Sequence, residues 1–280
     1  MSENEVRAFS KTAIGVALAR MIHLSEDGEP KILNDTIIAK LLGPSAQDYL
    51  KLKSDYLSGE RAQYIRAHVV LRSRYAEDRL AEALQRGIKQ VVILGAGLDT
   101  LAYRQPDWAR DLRIYEVDHP ASQAYKRERL EQAGIELPDN LSFCAIDFET
   151  TSLADGMSNG GIDKHVPTFF ICLGVLMYLN SQTVMTLFRT ILDYPKGSEI
   201  VFTYSDTSHD LPEASKALLA SIGEPWLSFF AADQLCEDLE ALGYSQAHII
   251  DPDWSQKHYF NERTDNLQAP KYKGIGTAVV

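Results

Sequence analysis

Residues 90 to 99 combine an apolar run with two glycines, a pattern that can bring bare backbone against a ligand. They read Gln-Val-Val-Ile-Leu-Gly-Ala-Gly-Leu-Asp, which predicts a buried strand ending in a glycine turn. A second apolar run ends at Asp118, 21 residues after Gly97. In nucleotide-binding α/β folds, an acid at about this spacing accepts hydrogen bonds from ribose hydroxyls. The candidate contacts to an adenosine-containing ligand are therefore Gly95, Ala96, Gly97 and Asp118.

The residues beside these glycines favour a cationic ligand over a dinucleotide. A dinucleotide site needs a third glycine, but Thr100 stands in that position. Asp99 brings negative charge to the start of the following helix, where it would repel a diphosphate. S-adenosylmethionine carries a sulfonium and an ammonium group but no phosphate, so the loop fits it better than NAD. The alternatives are an NAD-dependent oxidoreductase, a noncatalytic adenosine-binding module and a glycine turn that binds nothing.

Length, composition and charge favour a small-molecule partner. The chain has 280 residues, of which 45% are hydrophobic and 24% charged, enough for one large domain or a domain with an appendage. Its net charge of −11 disfavours nucleic acid and anionic membranes as partners. The first residues lack a basic segment before an apolar stretch, so we expect a cytoplasmic location. The cysteines at 144, 172 and 236 have no metal-ligand spacing, and we expect reduced thiols and no metal.

The apolar patterns predict a helical segment followed by alternating strands and helices. Residues 1–86 are mostly helical, with Ser10 as an N-cap. The last helix of this segment runs from Gly59 to Gln85, and Gly87 ends it. Over residues 87–280, short apolar runs alternate with helical lengths, which is typical of a doubly wound, parallel α/β sheet. The predicted strands lie near Gln90–Leu94, Arg113–Val117, Leu141–Ile146, Thr168–Leu173, Glu199–Tyr204, Gln246–Ile250 and Gly276–Val280.

Several motifs in combination resemble the leucine carboxyl methyltransferase family. They are Val-Ile-Leu-Gly-Ala-Gly-Leu-Asp-Thr-Leu-Ala-Tyr-Arg at 92–104, Tyr-Glu-Val-Asp-His-Pro at 115–120 and Leu-Gly-Val-Leu-Met-Tyr-Leu at 173–179. Ser-Lys-Thr-Ala at 10–13 and Gly-Glu-Pro-Trp-Leu-Ser-Phe-Phe at 223–230 are also similar to the family, so the resemblance spans nearly the whole chain. Membership implies a Rossmann-like class I methyltransferase fold with S-adenosylmethionine as cofactor. It also implies seven strands, the last one antiparallel, and an N-terminal helical cap.

The resemblance implies contacts for the methionine carboxylate of the cofactor. Lys11 and Arg72 match the positions that hold it, and a carboxylate in a partly dry cleft needs such cationic donors. The alternative for Lys11 is a solvated position in the first turn of a helix. The alternative for Arg72 is an ion pair with Glu77 or Asp78 on the surface of its own helix.

The resemblance also implies contacts for the rest of the cofactor. Asp147 and Phe148 match the position where the family contacts adenine, although an aspartate at a strand end is also a common helix cap. His119 follows the predicted ribose acid and is expected near the cleft. Many family members have glutamate where this chain has Leu173, and that acid receives the cofactor ammonium. A leucine cannot do so, which leaves backbone carbonyls or another acid such as Asp99.

The predicted acceptor contacts come from strand ends and from the long interval before the sixth strand. That interval is longer than a crossover helix requires, and we interpret residues 206–235 as a substrate lid, the alternative being an extra surface helix. Tyrosines at strand ends are also common packing residues, and a histidine in a polar loop is commonly solvated. The candidate catalytic residues are Tyr178, Tyr204 and His209, with Asp206 and Trp226 as further contacts.

The expected reaction is methyl transfer to an oxygen atom of a small molecule. The enzyme must hold that oxygen close to the methyl group and in line with the departing sulfur. A carboxylate is ionised near neutral pH and needs no general base, whereas a phenol, with a pKa near 10, would benefit from one. The rival within the family is methylation of a protein's C-terminal leucine, which would use the same cofactor contacts.

Overall fold

The apolar runs of the sequence form one sheet of seven strands, flanked by helices. The computed structural model describes residues 10–44, 46, 48, 50, 59–147, 150–208, 212–271 and 273–280, apart from the side chains of Lys11 and Lys273. The strands are β1 (Gln90–Leu94), β2 (Arg113–Asp118), β3 (Leu141–Ala145), β4 (Thr168–Cys172), β5 (Glu199–Ser205), β6 (Gln246–Ile249) and β7 (Lys273–Val279). The described helices are α1 (Lys11–Glu26), α2 (Ile38–Leu42), α3 (Gly59–Gln85), α4 (Pro120–Gln132), α5 (Leu153–Asn159), α6 (Ser181–Leu192), α7 (Glu213–Ser221), α8 (Ala232–Leu242) and α9 (Pro252–Tyr259).

The strand order places a ligand crevice beside β1. The order across the sheet is β3-β2-β1-β4-β5-β7-β6. Pairs among β1 to β5 are parallel, and β7 runs antiparallel to both of its neighbours. The fold class predicted from the sequence is therefore confirmed. The chain winds from β1 to β2 on one side and later to β4 on the other, so a crevice opens at the carboxyl end of β1.

The central strands are apolar throughout because both faces of the sheet are covered. Every residue of β1 is buried. Val91 and Ile93 pack on one side with α3, and Val92 and Leu94 pack on the other. Because both faces of β1 are buried, its sequence lacks the alternation of apolar and polar residues that is typical of a half-exposed strand. The glycine turn after β1 is thus held on a rigid, fully packed strand.

β7 begins three residues before the predicted start at Gly276. A Cβ atom at Gly274 would lie 2.0 Å from the Tyr204 ring, and one at Gly276 would lie 2.6 Å from the Phe202 ring. Both glycines are therefore needed for close packing inside the strand. From the sequence alone, Gly274 resembles part of a turn, which made the predicted strand too short.

The N-terminal helices pack over the glycine turn. The side chain of Ser10 accepts a hydrogen bond from the Ala13 N–H at 3.2 Å, which confirms the predicted N-cap of α1. Buried Arg20, further along α1, donates to the Leu98 carbonyl at 2.6 Å and to Asp35 Oδ2 at 2.8 Å. α1 and α2 share a core cluster with Leu98, which follows the glycines. These contacts fix α1 against the loop after β1, while the division into a cap (1–86) and a methyltransferase domain (87–280) stays a prediction.

Two further expectations concern the thiols and the membrane. Cys144 and Cys172 are buried, Cys236 is half-buried, and all three are free. This agrees with reduced thiols that pack as small apolar side chains. No helix in the described ranges combines the length and apolarity that a bilayer crossing requires.

Candidate active site

The turn after β1 brings together two glycines with positive φ and an acid. Gly95 has φ +65° and Gly97 has φ +45°, a region that favours glycine. A Cβ atom at Gly95 would lie 2.4 Å from Val175 Cγ2. Asp118 at the end of β2 accepts hydrogen bonds from the N–H groups of Gly97 at 2.5 Å and His119 at 2.7 Å. A carboxylate has about four acceptor positions, so Asp118 keeps capacity for ribose hydroxyls while it holds the turn.

Arg72 lies on α3, and its surroundings favour the binding of an anion. Its side chain is buried, and its guanidinium lies about 3 Å from where a Cβ atom of Gly174 would be. Within the described residues, its Nε atom has no hydrogen-bond partner. Burial and, to a smaller extent, the charge of Arg20 lower the pKa of Arg72 to about 10, although Tyr178 and Asp99 oppose the shift. A buried guanidinium that lacks a full set of partners is well matched to a carboxylate ligand.

The turn and Arg72 open into one cavity of about 790 Å³. Its walls come from the carboxyl ends of β1 and β4 and from α1, α3 and α7. This volume lies in the range of small-molecule binding sites. Along α3, Arg72 lies beside Gly174 after β4, whereas exposed Arg61, 11 positions earlier, donates to Ser215 of α7. We call the part of the cavity with the glycines, Asp118 and Arg72 the inner end and the part at Arg61 and Ser215 the outer end.

The inner end fits the expected cofactor group by group. Asp118 is suited to the ribose and Arg72 to the methionine carboxylate, and Gly95 and Gly97 line the cavity with bare backbone. Leu173 also lines this end and offers no charge to the cofactor ammonium. Asp99, the predicted alternative partner of that ammonium, also lines the cavity, and its Oδ1 atom accepts the Leu101 N–H at 2.8 Å.

The structure brings many of the predicted residues to the cavity and places others elsewhere. The predicted residues that line it are Arg72, Gly95, Ala96, Gly97, Asp99, Asp118, Leu173, Tyr178 and Trp226. His119 is exposed and caps α4, its Nδ1 atom accepting the Ala121 N–H at 3.3 Å. Asp147 is half-buried after β3, outside the described lining. Phe148, His209 and the side chain of Lys11 lie outside the described residues.

Tyr204 belongs to the hydrophobic core and not to the described cavity lining. It is 2% exposed, and its ring packs against that of Phe202 and over Gly274. Asp206 pairs with Phe230 at the edge of the long interval, and its carboxylate accepts the Ser208 N–H at 2.7 Å. Among the predicted catalytic residues that are described, Tyr178 is therefore the one at the cavity.

Tyr178 is held by Thr12 and Glu224, which belong to the motifs at 10–13 and 223–230 but were not among the predicted site residues. Its hydroxyl lies 3.0 Å from Thr12 Oγ1, and the Thr12 N–H donates to Glu224 Oε2 at 3.2 Å. Burial raises the pKa of Tyr178, and nearby Glu224 adds to this, while hydrogen bonds with Thr12 and Trp226 oppose it. Tyr178 is thus a neutral phenol near pH 7. No local motif indicates this cluster, because Thr12 and Tyr178 are 166 positions apart.

One face of α3 lines the cavity along much of its length. The lining positions follow helical spacing back from Arg72, namely Val69, His68, Ile65, Ala62 and Arg61. This spacing was available in the sequence as a signal. It becomes useful once Arg72 is assigned to the site, since neighbours three, four, seven and eleven positions away must share its face.

Comparisons with known proteins agree with this geometry. The family model for leucine carboxyl methyltransferase matches residues 13–192. The protein YktD of Bacillus subtilis, named as an S-adenosyl-L-methionine-dependent methyltransferase, is 37% identical over 207 residues, which are 71% of this chain and 67% of YktD. A protein of Mycobacteroides abscessus with the same kind of name is 30% identical over 223 residues, covering 78% of this chain and 70% of its own.

Solved structures show the same fold at low sequence identity. A methyltransferase structure from Thermobifida fusca has a TM-score of 0.57 at 17% identity and covers 86% of this chain and 91% of its own. A DUF574 family protein from Streptomyces avermitilis has a TM-score of 0.58 at 12% identity and covers 98% of both chains. The fold is that of a Rossmann-like class I methyltransferase. The chain belongs to the leucine carboxyl methyltransferase family, and it is an enzyme that depends on S-adenosylmethionine.

Proposed function

We propose that the enzyme methylates a carboxylate or hydroxyl oxygen of a small molecule. The observation that carries this proposal is a continuous cavity whose inner end matches the cofactor and whose outer part has mostly apolar walls. An acceptor in the outer part would meet the cofactor at the level of Tyr178 and the glycine turn. A cavity of this volume favours a small acceptor that enters the protein.

The residues of the site would bind and align the two reactants. When bound, S-adenosylmethionine would supply an electrophilic methyl group to the acceptor oxygen, with the electron pair of the carbon–sulfur bond left on sulfur; a hydroxyl acceptor would also give its proton to water. Arg72 would hold the carboxylate end, and Asp118 would hold the ribose, so that the methyl group has one fixed position. Tyr178, as a neutral phenol, can donate one hydrogen bond to orient the acceptor. Its raised pKa disfavours a role as general base near pH 7.

The experiment that tests this proposal measures cofactor binding and methyl transfer separately. Calorimetry with S-adenosylhomocysteine measures binding, and mass spectrometry detects methylated products from a panel of carboxylic acids and phenols. We expect Arg72→Gln to weaken S-adenosylhomocysteine binding roughly tenfold to a hundredfold, as for the loss of charged hydrogen bonds. Arg74→Gln is the matched control, because Arg74 lies on the same helix, half-exposed, and pairs with Asp78 at 2.9 Å. Tight binding without transfer to any oxygen acceptor would contradict the proposal.

The second candidate is a carboxyl methyltransferase that acts on a C-terminal leucine. The family match over residues 13–192 favours it, and the apolar outer cavity would also accept a leucine side chain. A short peptide ending in leucine distinguishes the two candidates. Methylation of that peptide, with none of the small acids or phenols methylated, would replace the small-molecule proposal.

A further inference from the structure

The outer part of the cavity is apolar and lacks negative charge. Its apolar lining includes Val16, Ala19 and Ile22 of α1, Ile65 of α3, and Leu219 and Ile222 at α7. Among the described lining residues, the acids are Asp99 and Asp118, and both belong to the inner end. The outer part therefore suits an apolar body and does not repel an anion, although the whole chain carries a net charge of −11.

Arg61 at the outer end differs from Arg20 and Arg66, two other arginines that line this cavity, whereas Arg72 is assigned to the cofactor carboxylate. Arg20 pairs with Asp35 at 2.8 Å, and Arg66 pairs with Asp27 at 2.8 Å. Arg61 is exposed and donates to Ser215 Oγ at 2.6 Å. Within the part of the chain that the structure describes, it has no carboxylate partner. Its charge is thus balanced by nothing in the described cavity wall, and Ser215 fixes the direction of the guanidinium.

The cofactor cannot be the partner of Arg61. Arg61 and Arg72 are 11 positions apart on α3, which is about 16 Å along a helix axis. That distance exceeds the length of the methionine part of the cofactor, whose carboxylate would be held at Arg72. A ligand group at Arg61 must therefore belong to the acceptor, at the end remote from the methylated oxygen.

We propose that the acceptor is an amphipathic acid, and that Arg61 with Ser215 binds a carboxylate at its outer end. The apolar body fills the space between α1, α3 and α7, and a second oxygen group at the inner end receives the methyl group. A guanidinium matches a carboxylate through two parallel hydrogen bonds. This inference rests on the proposed function, because it assumes an oxygen acceptor in the outer cavity.

The test uses matched probes that differ in charge. The protein is saturated with S-adenosylhomocysteine, and octanoate or octan-1-ol is titrated by calorimetry at low salt. We expect wild type to bind octanoate at least tenfold tighter than octan-1-ol. Arg61→Gln should abolish that preference, whereas Arg74→Gln should retain it. The preference of wild type should also shrink in high salt, because Arg61 is exposed.

Three results would overturn the proposal. They are equal affinity of wild type for both probes, no binding of either probe, and a preference for octanoate that survives in Arg61→Gln. The methylation assay is a separate measurement. If octanoate preference depends on Arg61 but no oxygen acceptor is methylated, the proposed reaction fails while the anion site stands. If acceptors are methylated and Arg61→Gln shows no loss of acid preference, the anion site alone fails.

Discussion

Gly95 and Gly134 share a backbone conformation but differ in their surroundings. φ is +65° at Gly95 and +58° at Gly134. A Cβ atom at Gly95 would lie 2.4 Å from Val175 Cγ2, whereas a Cβ atom at Gly134 meets no described atom within 4 Å. A comparison of alanine variants at the two positions therefore separates the free-energy cost of backbone strain from that of crowding in the loop after β1.

Replacing each glycine by alanine should reveal that difference. We expect Gly134→Ala to lose about 1–2 kcal/mol of stability through the left-handed backbone, and Gly95→Ala to lose more, because its Cβ atom would also overlap Val175. Gly95→Ala should in addition bind S-adenosylhomocysteine at least tenfold more weakly, because Val175 and the turn must move apart. Thermal unfolding measures the first effect and calorimetry the second. Equal cofactor affinity in the two variants would contradict a close fit at Gly95.

For single residues, short sequence motifs predicted which residues lie close together. The sequence did not predict which side chains are buried. The glycine turn and Asp118 lie at the ends of two adjacent parallel strands, joined by a short connection that contains the 3-10 helices Leu101–Tyr103 and Asp107–Ala109, so they lie close together in sequence and in space. Tyr204 also follows a strand, yet β7 packs over its ring and places it in the core. The sequence does not reveal that packing, because β7 starts 69 positions after Tyr204. The assignment of individual cofactor contacts stays a prediction.

The segment between β5 and α8 is attached to the body of the protein at two kinds of contact. Near its end, the Leu227 N–H donates to the Met177 carbonyl at 2.6 Å, and the Phe230 N–H donates to the Ser205 carbonyl at 2.9 Å. Nearer α7, Glu224 accepts the Thr12 N–H in the first turn of α1. The first kind is backbone pairing that substitution leaves in place, whereas the second depends on one carboxylate.

Glu224→Gln should loosen α7 without unfolding the protein. A carboxylate at a helix N-terminus contributes about 0.3–1 kcal/mol, and the amide would lose that attraction to α1. We expect faster hydrogen exchange over residues 213–222, with a melting temperature within a few degrees of wild type. Glu131→Gln on the exposed surface of α4 is the control and should leave exchange unchanged. Unaltered exchange in Glu224→Gln would show that this contact does not hold α7, and the role of residues 206–235 as a lid would lose support.

Regular elements were predictable where one face is buried. α3 runs from Gly59 to Gln85 as its apolar spacing predicted, because a helix that packs on a sheet must repeat its apolar residues at helical intervals. Its second role was missed, since the face that carries Arg61, His68 and Arg72 lines the cavity. Polar residues on one face of a helix can face solvent or line a binding site. The sequence does not distinguish the two until the neighbouring elements are known.

Asp265 joins distant parts of the chain and should shape acid stability. It accepts hydrogen bonds from the Gly28 N–H at 2.7 Å, the Leu267 N–H at 3.2 Å and the Arg263 side chain. Burial alone would raise the pKa of Asp265, but these hydrogen bonds lower it well below its ordinary value of 3.8. A lowered pKa in the folded state means that the stabilisation is complete above about pH 4 and is lost as pH falls further.

The free energy of unfolding of the Asp265→Asn variant should therefore depend less on pH in the acid range. We expect it to be about 1–2 kcal/mol less stable than wild type at pH 7, with the difference shrinking between pH 4 and pH 2. Urea unfolding at a series of pH values measures this. Asp107→Asn, at a side chain that is 93% exposed, should follow the wild-type curve. A constant difference in the free energy of unfolding between wild type and Asp265→Asn from pH 7 to pH 2 would contradict a link between protonation of Asp265 and stability.

For the whole molecule, the class of fold was predictable and the shape of the cavity was not. Alternating patterns and family motifs indicate the sheet, and the observed strand order confirms it. The cavity requires α1, α3 and α7 to meet, although they are far apart in sequence. No local rule gives their relative positions, and the outer site at Arg61 and Ser215 emerged from the structure.

The position of β7 has a consequence for how the protein is made. β7 lies between β5 and β6, and β6 has β7 as its partner in the sheet. Of the seven strands, β7 leaves the ribosome last, so the edge of β5 stays open during synthesis of the preceding 67 residues. Exposed strand edges are templates for pairing between chains. Until β7 is synthesised, the open edge of β5 is therefore a place where the nascent chain can pair with another chain, and the pairing of β5 with β7 removes that edge.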